Sequence, residues 1–503
     1  MARSPRREPA PLIQQRPEWR NLRHPFAPQS LFSEDRIVAL HDMALKLLED
    51  LGLKVLLDEA RDVYSAGGAK VVDEMVFIGR DLVEAAIASA PARIPLGALS
   101  ADRDLVLDNG ALIFGAGAGC PNATDLVAGR RPGDLSTFRA ALKLQQSFDV
   151  IHTLSPSAEP QDVPVQMRHY EMMRGQIELC DKFPFIYGRG RGQVTECFEM
   201  LQLALGISND EFLEAPRCGT VINTNSPRQI DRPMAQAVID FARAGQLCII
   251  TPFCLAGAMA PVTVAGALVL QHAEALGALV LSQLSRPGAP CAIGGFGSNV
   301  DMKSGAPAFG TPEHVQMSIG TGQLARHVGL PWRGAAGAAS NTTDMQAAGE
   351  THMSIWGNLM ANAGMVKHAA GWLEGGLTFG FEKFINDIEG LQTIAALCTP
   401  PDISDDAMGW GALEQVDPGG HFFGADQTIE RFETAFYQPF VADLNNFGSW
   451  SDAGATPSDA RATGIWQQVL TEFTAPDGAA ERAARIDQWI ADHKQAGGMN
   501  ILE

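Results

Sequence analysis

The segment Trp332-Arg333-Gly334-Ala335-Ala336-Gly337-Ala338-Ala339-Ser340-Asn341-Thr342-Thr343-Asp344 joins an aromatic residue, a run of small residues and a polar, acidic end. A small-residue loop lets backbone and ligand approach closely. Thr343 and Gln346 have the three-residue spacing of a helix-opening capping box. Gln346 and Glu350, four apart, share a face near the start of that helix. Asp344 and Glu350 could meet a cation there, or simply complement the helix dipole. Asn223 and Asn225 in Asn-Thr-Asn-Ser-Pro carry amides that can orient an ammonium or a carboxylate, or close an Asx turn. Asp301 heads a third polar loop, and Asn341 extends the first. Phe253, Phe296, Phe309 and Trp332 lie at or near expected strand ends. Their faces can hold a quaternary ammonium, at about 0.5–2 kcal/mol per desolvated contact, or serve as core. His421 in Pro-Gly-Gly-His-Phe reads as a turn residue.

Other chemistries lack their signatures. The eleven histidines form no His-x-His or His-Glu-x-x-His spacing, so no metal site is expected. There is no Gly-x-Ser-x-Gly elbow and no phosphate-binding loop. Phe114-Gly115-Ala116-Gly117-Ala118-Gly119 runs into Cys120-Pro121 rather than a helix, which is poor for a dinucleotide fold. Eight cysteines without a Cys-x-x-Cys pair, mostly in apolar runs, read as free thiols in a reducing, cytoplasmic setting. Fifty-eight acidic against 38 basic residues give a net charge of −20, which repels nucleic acid and anionic membranes. What remains is an acid-and-amide site with no evident general base, suited to holding a cation for an external nucleophile.

Those residues need a frame. Hydrophobic residues make up 46% of 503, enough for a large core and about three domains by length, although one barrel could absorb half the chain. Residues 1–32, with six arginines, read as an extended arm without a secretory apolar run. Residues 33–108 form an N-terminal helical and mixed extension, opened by Ser33-Glu34-Asp35 and an Ile37, Leu40, Ala44, Leu47, Leu48 stripe. From 109 to 400, strands expected at 112–114, 150–154, 183–187, 220–223, 248–252, 291–294, 330–332 and 373–378 alternate with helices at 134–147, 164–178, 194–206, 230–244, 262–284, 311–327 and 343–365. That rhythm predicts an α/β, TIM-type (β/α)8 barrel, with a doubly wound sheet as the alternative. The uncharged stretch 247–270 is broken by Pro252 and Pro261 and reads as strand, loop and packed helix rather than a membrane span. Residues 401–503 form a helical tail, near 405–414, 427–440, 457–474 and 478–495. Trp450, Trp466 and Trp489 are expected to pack it on the barrel or on a second subunit, and a homo-oligomer is expected.

Seven segments, in order, resemble the trimethylamine methyltransferase (MttB-like) family. They are Phe114–Gly119, Gly129-Arg130-Arg131-Pro132, Asn223–Pro227, 256–267 (Ala-Gly-Ala-Met-Ala-Pro-Val-Thr-Val-Ala-Gly-Ala), Asp301–Pro307, Asp344-Met345-Gln346-Ala347-Ala348-Gly349-Glu350 and Pro418–Phe422. The resemblance implies a barrel enzyme that moves a methyl group from an amine to a corrinoid on a separate small protein. Members acting on trimethylamine carry pyrrolysine just before the Asp-x-Gln-Ala segment; here that loop reads Ala335-Ala336-Gly337-Ala338-Ala339-Ser340. The chain is therefore similar to the branch acting on quaternary amines such as glycine betaine, and the methyl donor the resemblance implies is a quaternary, or else a tertiary, amine such as glycine betaine or trimethylamine. A quaternary ammonium already leaves as a neutral amine, so the protein need only hold the cation, exclude water and align one methyl. In that reading Glu350, Asp344 and Gln346 are the catalytic set. Asn223, Asn225, Phe253, Phe296, Asp301, Phe309, Trp332 and Asn341 bind substrate. Two other classes stay open: a betaine-binding protein without catalysis, and a Schiff-base lyase or aldolase using Lys182 or Lys303.

Overall fold

A computed structural model describes residues 19–501. The expectations for residues 1–18 of the arm lie outside the described residues.

Six parallel strands form the central sheet, in the order Ile113–Phe114, Met365–Lys367, Trp332–Ala335, Cys291–Gly294, Leu247–Ile250 and Gly219–Ile222. Leu247–Ile250 and Cys291–Gly294 are buried throughout, as strands covered on both faces must be. Isolated parallel bridges link Gly115 to Thr153, Thr153 to Phe183, and Phe185 to Gly219. The expected strands at 150–154 and 183–187 are thus reduced to single bridges; Pro184 has no N–H to give a ladder.

Helices Leu135–Ser147, Val165–Leu179, Arg191–Leu205, Arg232–Arg243, Val264–Ser285, Pro312–His327 and Met345–Ala361 occupy the expected intervals. Local chemistry starts several of them. Asp134 and Thr137 form a capping box, Asp231 accepts from the Met234 N–H, and Thr311 caps a helix whose first residue is Pro312. The helix expected over 343–365 instead begins after Asp344, whose carboxylate accepts from the Ala347 N–H, and ends at left-handed Asn362. That early stop frees Met365–Lys367 to be the sheet's strand after Trp332–Ala335. The strand expected at 373–378 is corrected: Trp372–Leu373 and Thr378–Gly380 form an antiparallel hairpin above the sheet. The following helix, Phe381–Leu397, was not among the expected elements.

The stretch 247–270 resolves into the strand Leu247–Ile250, a loop and the start of Val264–Ser285. That helix is long and apolar enough to cross a membrane, yet it packs inside the protein.

The hairpin Arg93–Leu96/Leu105–Asp108 covers the N-terminal ends of the strands: Leu96, Leu105 and Leu107 join Ile113, Leu247, Ala292 and Met365 in one cluster. At the other end, Leu53–Val55 pairs in parallel with Gln229–Ile230, so the N-terminal extension clasps the loop after Gly219–Ile222. In the tail, Ser458–Thr471 lies along Phe381–Leu397, with Trp466 Nε1 donating to Glu382 at 2.8 Å. Ala479–Gln495 lies on Val165–Leu179 and Arg191–Leu205, with Trp489 against Tyr170. Trp450 bonds within its own turn, to the Thr456 carbonyl.

Candidate active site

A cavity of about 370 Å³ opens at the C-terminal ends of the sheet strands. Its apolar wall is Phe185, Tyr187, Val221, Met234, Phe253, Phe296 and Trp372. Its polar lining is Asn223, Arg333, Lys367 and His368. Among the described residues, none of the lining side chains is a carboxylate.

Strand alternation places the cations. In Trp332–Ala335, Trp332 turns toward the helices, its Nε1 donating to the Asn362 carbonyl at 3.0 Å, and Arg333 turns into the cavity. Arg333 is 1% exposed, and its Nε and Nη1 have no hydrogen-bond acceptor. Burial pushes its pKa down to about 9. The guanidinium carbon lies 5.6 Å from the Phe296 ring centroid. Lys367 ends the adjacent strand and donates to Thr153 Oγ1 at 2.7 Å and, at 3.3 Å, to the Leu154 carbonyl and Ser155 Oγ. Burial first, and then Arg333, lowers its pKa to about 7. Two desolvated cations side by side without an anion are costly unless a ligand brings one.

His368, at positive φ, accepts the Ala118 N–H on Nδ1 at 3.3 Å, which puts its proton on Nε2. Burial, then Arg333 and Lys367, keep it neutral. It stacks between Trp372 and Phe296, at 4.9 and 5.5 Å. Small residues close around Trp372: a Cβ on Gly337 (φ +137°) or Gly376 (φ +107°) would fall into the indole. The small-residue loop 335–340 is thus the seat of this tryptophan.

Of the sequence-derived candidates, Asn223, Phe253 and Phe296 line the cavity. Asn223 is held at its mouth by a buried brace. Glu274 accepts from Thr224 Oγ1 at 2.5 Å, Ser226 Oγ at 2.6 Å and the Arg228 N–H at 2.7 Å. Phe309 stands behind the wall, 5.1 Å from Phe296 and 5.2 Å from Trp372. The other candidates are not among the lining residues. Trp332 is core. Asn225 bonds Asp231, and Asp301 closes its own exposed loop through Ser304. Asn341 is exposed. Asp344 caps its helix and accepts from Thr342 Oγ1 at 2.9 Å. Glu350 accepts the N–H groups of Ala339 and Ser340, at 2.7 and 3.1 Å, and the Gln346 amide at 2.8 Å. The acids fasten the loop that seats Trp372 and bring no charge to the cavity.

Of the two Schiff-base candidates, Lys182 is buried elsewhere, donating to the carbonyls of Gln145 and Phe148, and Lys303 is exposed. Sequence reasoning passed over Arg333, Lys367, His368 and Trp372. The available signal was a charged residue inside an apolar strand-like run, at Arg333 and at Met365-Val366-Lys367. Among the described residues, no group of three or more His, Cys, Asp or Glu could hold a metal ion.

Residues 1–498 match the family described as Trimethylamine methyltransferase (MTTB). The chain belongs to this family. It is a methyltransferase. It is 30% identical over 471 residues to the glycine betaine methyltransferase of Desulfitobacterium hafniense strain Y51, covering 93% of this chain and 98% of that one. It is 29% identical over 472 residues to the trimethylamine methyltransferase MttB of D. hafniense strain DSM 10664 / DCB-2, covering 92% and 94%. The solved monomethylamine methyltransferase MtmB of Methanosarcina barkeri aligns over 93% of this chain and 96% of its own, at 9% identity and a TM-score of 0.49.

Proposed function

We propose that this methyltransferase takes its methyl group from a quaternary amine that also carries a carboxylate, a betaine, and passes it to a corrinoid on a separate protein. The observation that carries the reading is the acid-free cavity, lined by buried Arg333 and Lys367 together with an aromatic wall. A cation without an anionic end, such as choline or trimethylammonium, would meet uncompensated positive charge there. A zwitterion supplies the missing anion to Arg333 and Lys367 and lays its ammonium against Phe253 and Trp372. Asn223 at the mouth can orient the carboxylate or the ammonium methylene.

Bound corrinoid would supply a Co(I) nucleophile. The protein's own part is to fix the carboxylate, turn one N-methyl toward the mouth and keep water out; the amine departs neutral, so no residue transfers a proton. Neutral His368 fits that requirement. Exposed apolar residues on the loops after the strands, Val262, Met302, Met345 and Leu377, support docking of a carrier protein at this face. A cytoplasmic setting belongs to the same reading, supported by eight free thiols. So does a complete (β/α)8 barrel over 109–400, between an extension at 33–108 and a tail at 401–503. Supporting it, the bridges through Thr153, Phe183 and Phe185 join the two edges of the parallel sheet.

The test is methylcobalamin formation from cob(I)alamin, with calorimetry, across glycine betaine, longer betaines, choline and trimethylamine. Transfer or binding confined to carboxylated quaternary amines is expected. Choline binding as well as any betaine would refute the anion pocket.

A further inference from the structure

The helix Phe381–Leu397 carries a buried ion pair that does not line the cavity. Lys383 and Asp387, four apart on that helix, meet with side chains 2% and 3% exposed. Such a pair is weak evidence of stability, because apolar residues of similar volume often hold a fold as well or better. What an apolar pair cannot do is accept a hydrogen bond. Asp387 Oδ2 accepts the N–H of Gly371, the residue directly before Trp372, at 2.8 Å. A buried N–H without an acceptor has lost its bond to water as well, so this carboxylate decides where the peptide sits.

The bonds around it leave segment 368–372 little freedom. The Gly371 carbonyl accepts from the Gly380 N–H at 2.9 Å, and the Ala370 carbonyl from the Gly117 N–H at 2.8 Å. Gly371 has a φ of +80°, and a Cβ there would stand 2.6 Å from the Phe379 ring, so the turn is closed to larger residues. Lys383 links the pair to the loop that seats the indole. Its Nζ donates to Thr351 Oγ1 at 2.9 Å, and Thr351 follows Glu350, whose carboxylate holds the N–H groups of Ala339 and Ser340. One turn of the helix Met345–Ala361 thus fixes the seat of Trp372 through Glu350. It fixes the backbone before the ring through Thr351, Lys383 and Asp387.

We infer that Asp387 is a positioning residue for methyl transfer: through the Gly371 N–H it sets the angle of Trp372, while Lys383 and Thr351 hold its carboxylate in place. The inference rests on the reading above, in which Trp372 receives the ammonium. A ring displaced by about 1 Å turns the methyl off its line, which costs on the order of 100-fold in turnover. The grip of Arg333 and Lys367 on the carboxylate stays, so the loss falls on kcat more than on KM.

Two double variants of the full chain, both without the buried charges, isolate the acceptor. Lys383→Met/Asp387→Asn keeps an oxygen for the Gly371 N–H and an amide that can donate to Thr351 Oγ1; Lys383→Met/Asp387→Leu has neither. With the betaine that the parent protein demethylates, the asparagine pair should retain most of the parent kcat. The leucine pair should lose on the order of 100-fold, with KM changed far less. Near-ultraviolet dichroism of the ligand-free protein reads the same effect without substrate. The band that Trp372→Phe removes should persist in the asparagine pair and vanish in the leucine pair, with far-ultraviolet dichroism native in both. Asp387→Ala replaces leucine in the comparison if the larger side chain prevents folding. A parent that demethylates no betaine would refute the proposed function, and the Trp372 band would still decide this inference. Equal kcat in the two pairs, or a Trp372 band that survives loss of the acceptor, would overturn it.

Discussion

Replacing Arg333 by methionine keeps most of the side-chain volume and removes one of the two cavity cations. A hydrogen bond to a charged group is worth about 1.5–3 kcal/mol, and each 1.4 kcal/mol is tenfold in affinity. Affinity for glycine betaine should therefore fall by roughly 10- to 150-fold. Choline, which has no anion for Arg333 to hold, should bind no worse, and better if like-charge repulsion dominates now. Stability should move against the usual direction for a core substitution. Nε and Nη1 of Arg333 are buried without acceptors, so removing them takes away a desolvated charge that the ligand-free protein does not compensate. The thermal midpoint should hold or rise. Calorimetry with both ligands, beside a melting curve, separates these outcomes. Equal losses for betaine and choline, or a lower midpoint with unchanged affinity, would refute the reasoning.

Lys367 binds its proton below about pH 7 in the ligand-free protein and loses it above. Betaine affinity should thus be highest below that value and weaken by up to about tenfold per pH unit above it, with proton uptake on binding seen as a buffer-dependent heat. Glu350→Gln can keep an amide oxygen on the Ala339 and Ser340 N–H groups, which both donate to Oε2, but makes those bonds neutral and turns an NH2 toward the Gln346 amide; a loss of about 1–2 kcal/mol is expected by thermal denaturation, with substrate affinity following only as the loop loosens. Gly337→Ala adds a Cβ inside the Trp372 ring at a φ of +137°, so betaine binding should collapse while far-ultraviolet dichroism stays native. Glu274→Ala leaves Thr224, Ser226 and the Arg228 N–H without their common acceptor and should raise the Michaelis constant more than it lowers turnover; the reverse pattern would place Glu274 in the chemistry.

The helices were legible because their starts are written locally, in Asp134, Asp231, Thr311 and the prolines beside the last two. The strand Met365–Lys367 was not legible. Three residues carry too little pattern, and the apolar run of the preceding helix reads straight through Asn362 into them. Burial of a lysine at its end is a tertiary fact that no propensity reports. The site followed the same divide. Asn223, Phe253 and Phe296 come from loops directly after strands and were found by that rule. Glu350 and Asp344 satisfy the same rule, yet their carboxylates go to backbone N–H groups made available by the turn at 339–347. Arg333 was in plain view beside Trp332, and one step of strand alternation decides which of the two faces the ligand.

The seating of Trp372 also bears on how such sites can diverge. Its indole occupies the volume above loop 335–340, and glycines from separate loops are shaped around it. A long reactive side chain introduced at Gly337 would have to displace the ring. The intermediate carrying both groups would lose the packing of one and the geometry of the other. A route between a site that grips its ligand by charge and aromatic contact and one that grips it covalently must therefore pass through paired substitutions. Single-step libraries at Gly337 should sample little except inactive neighbours.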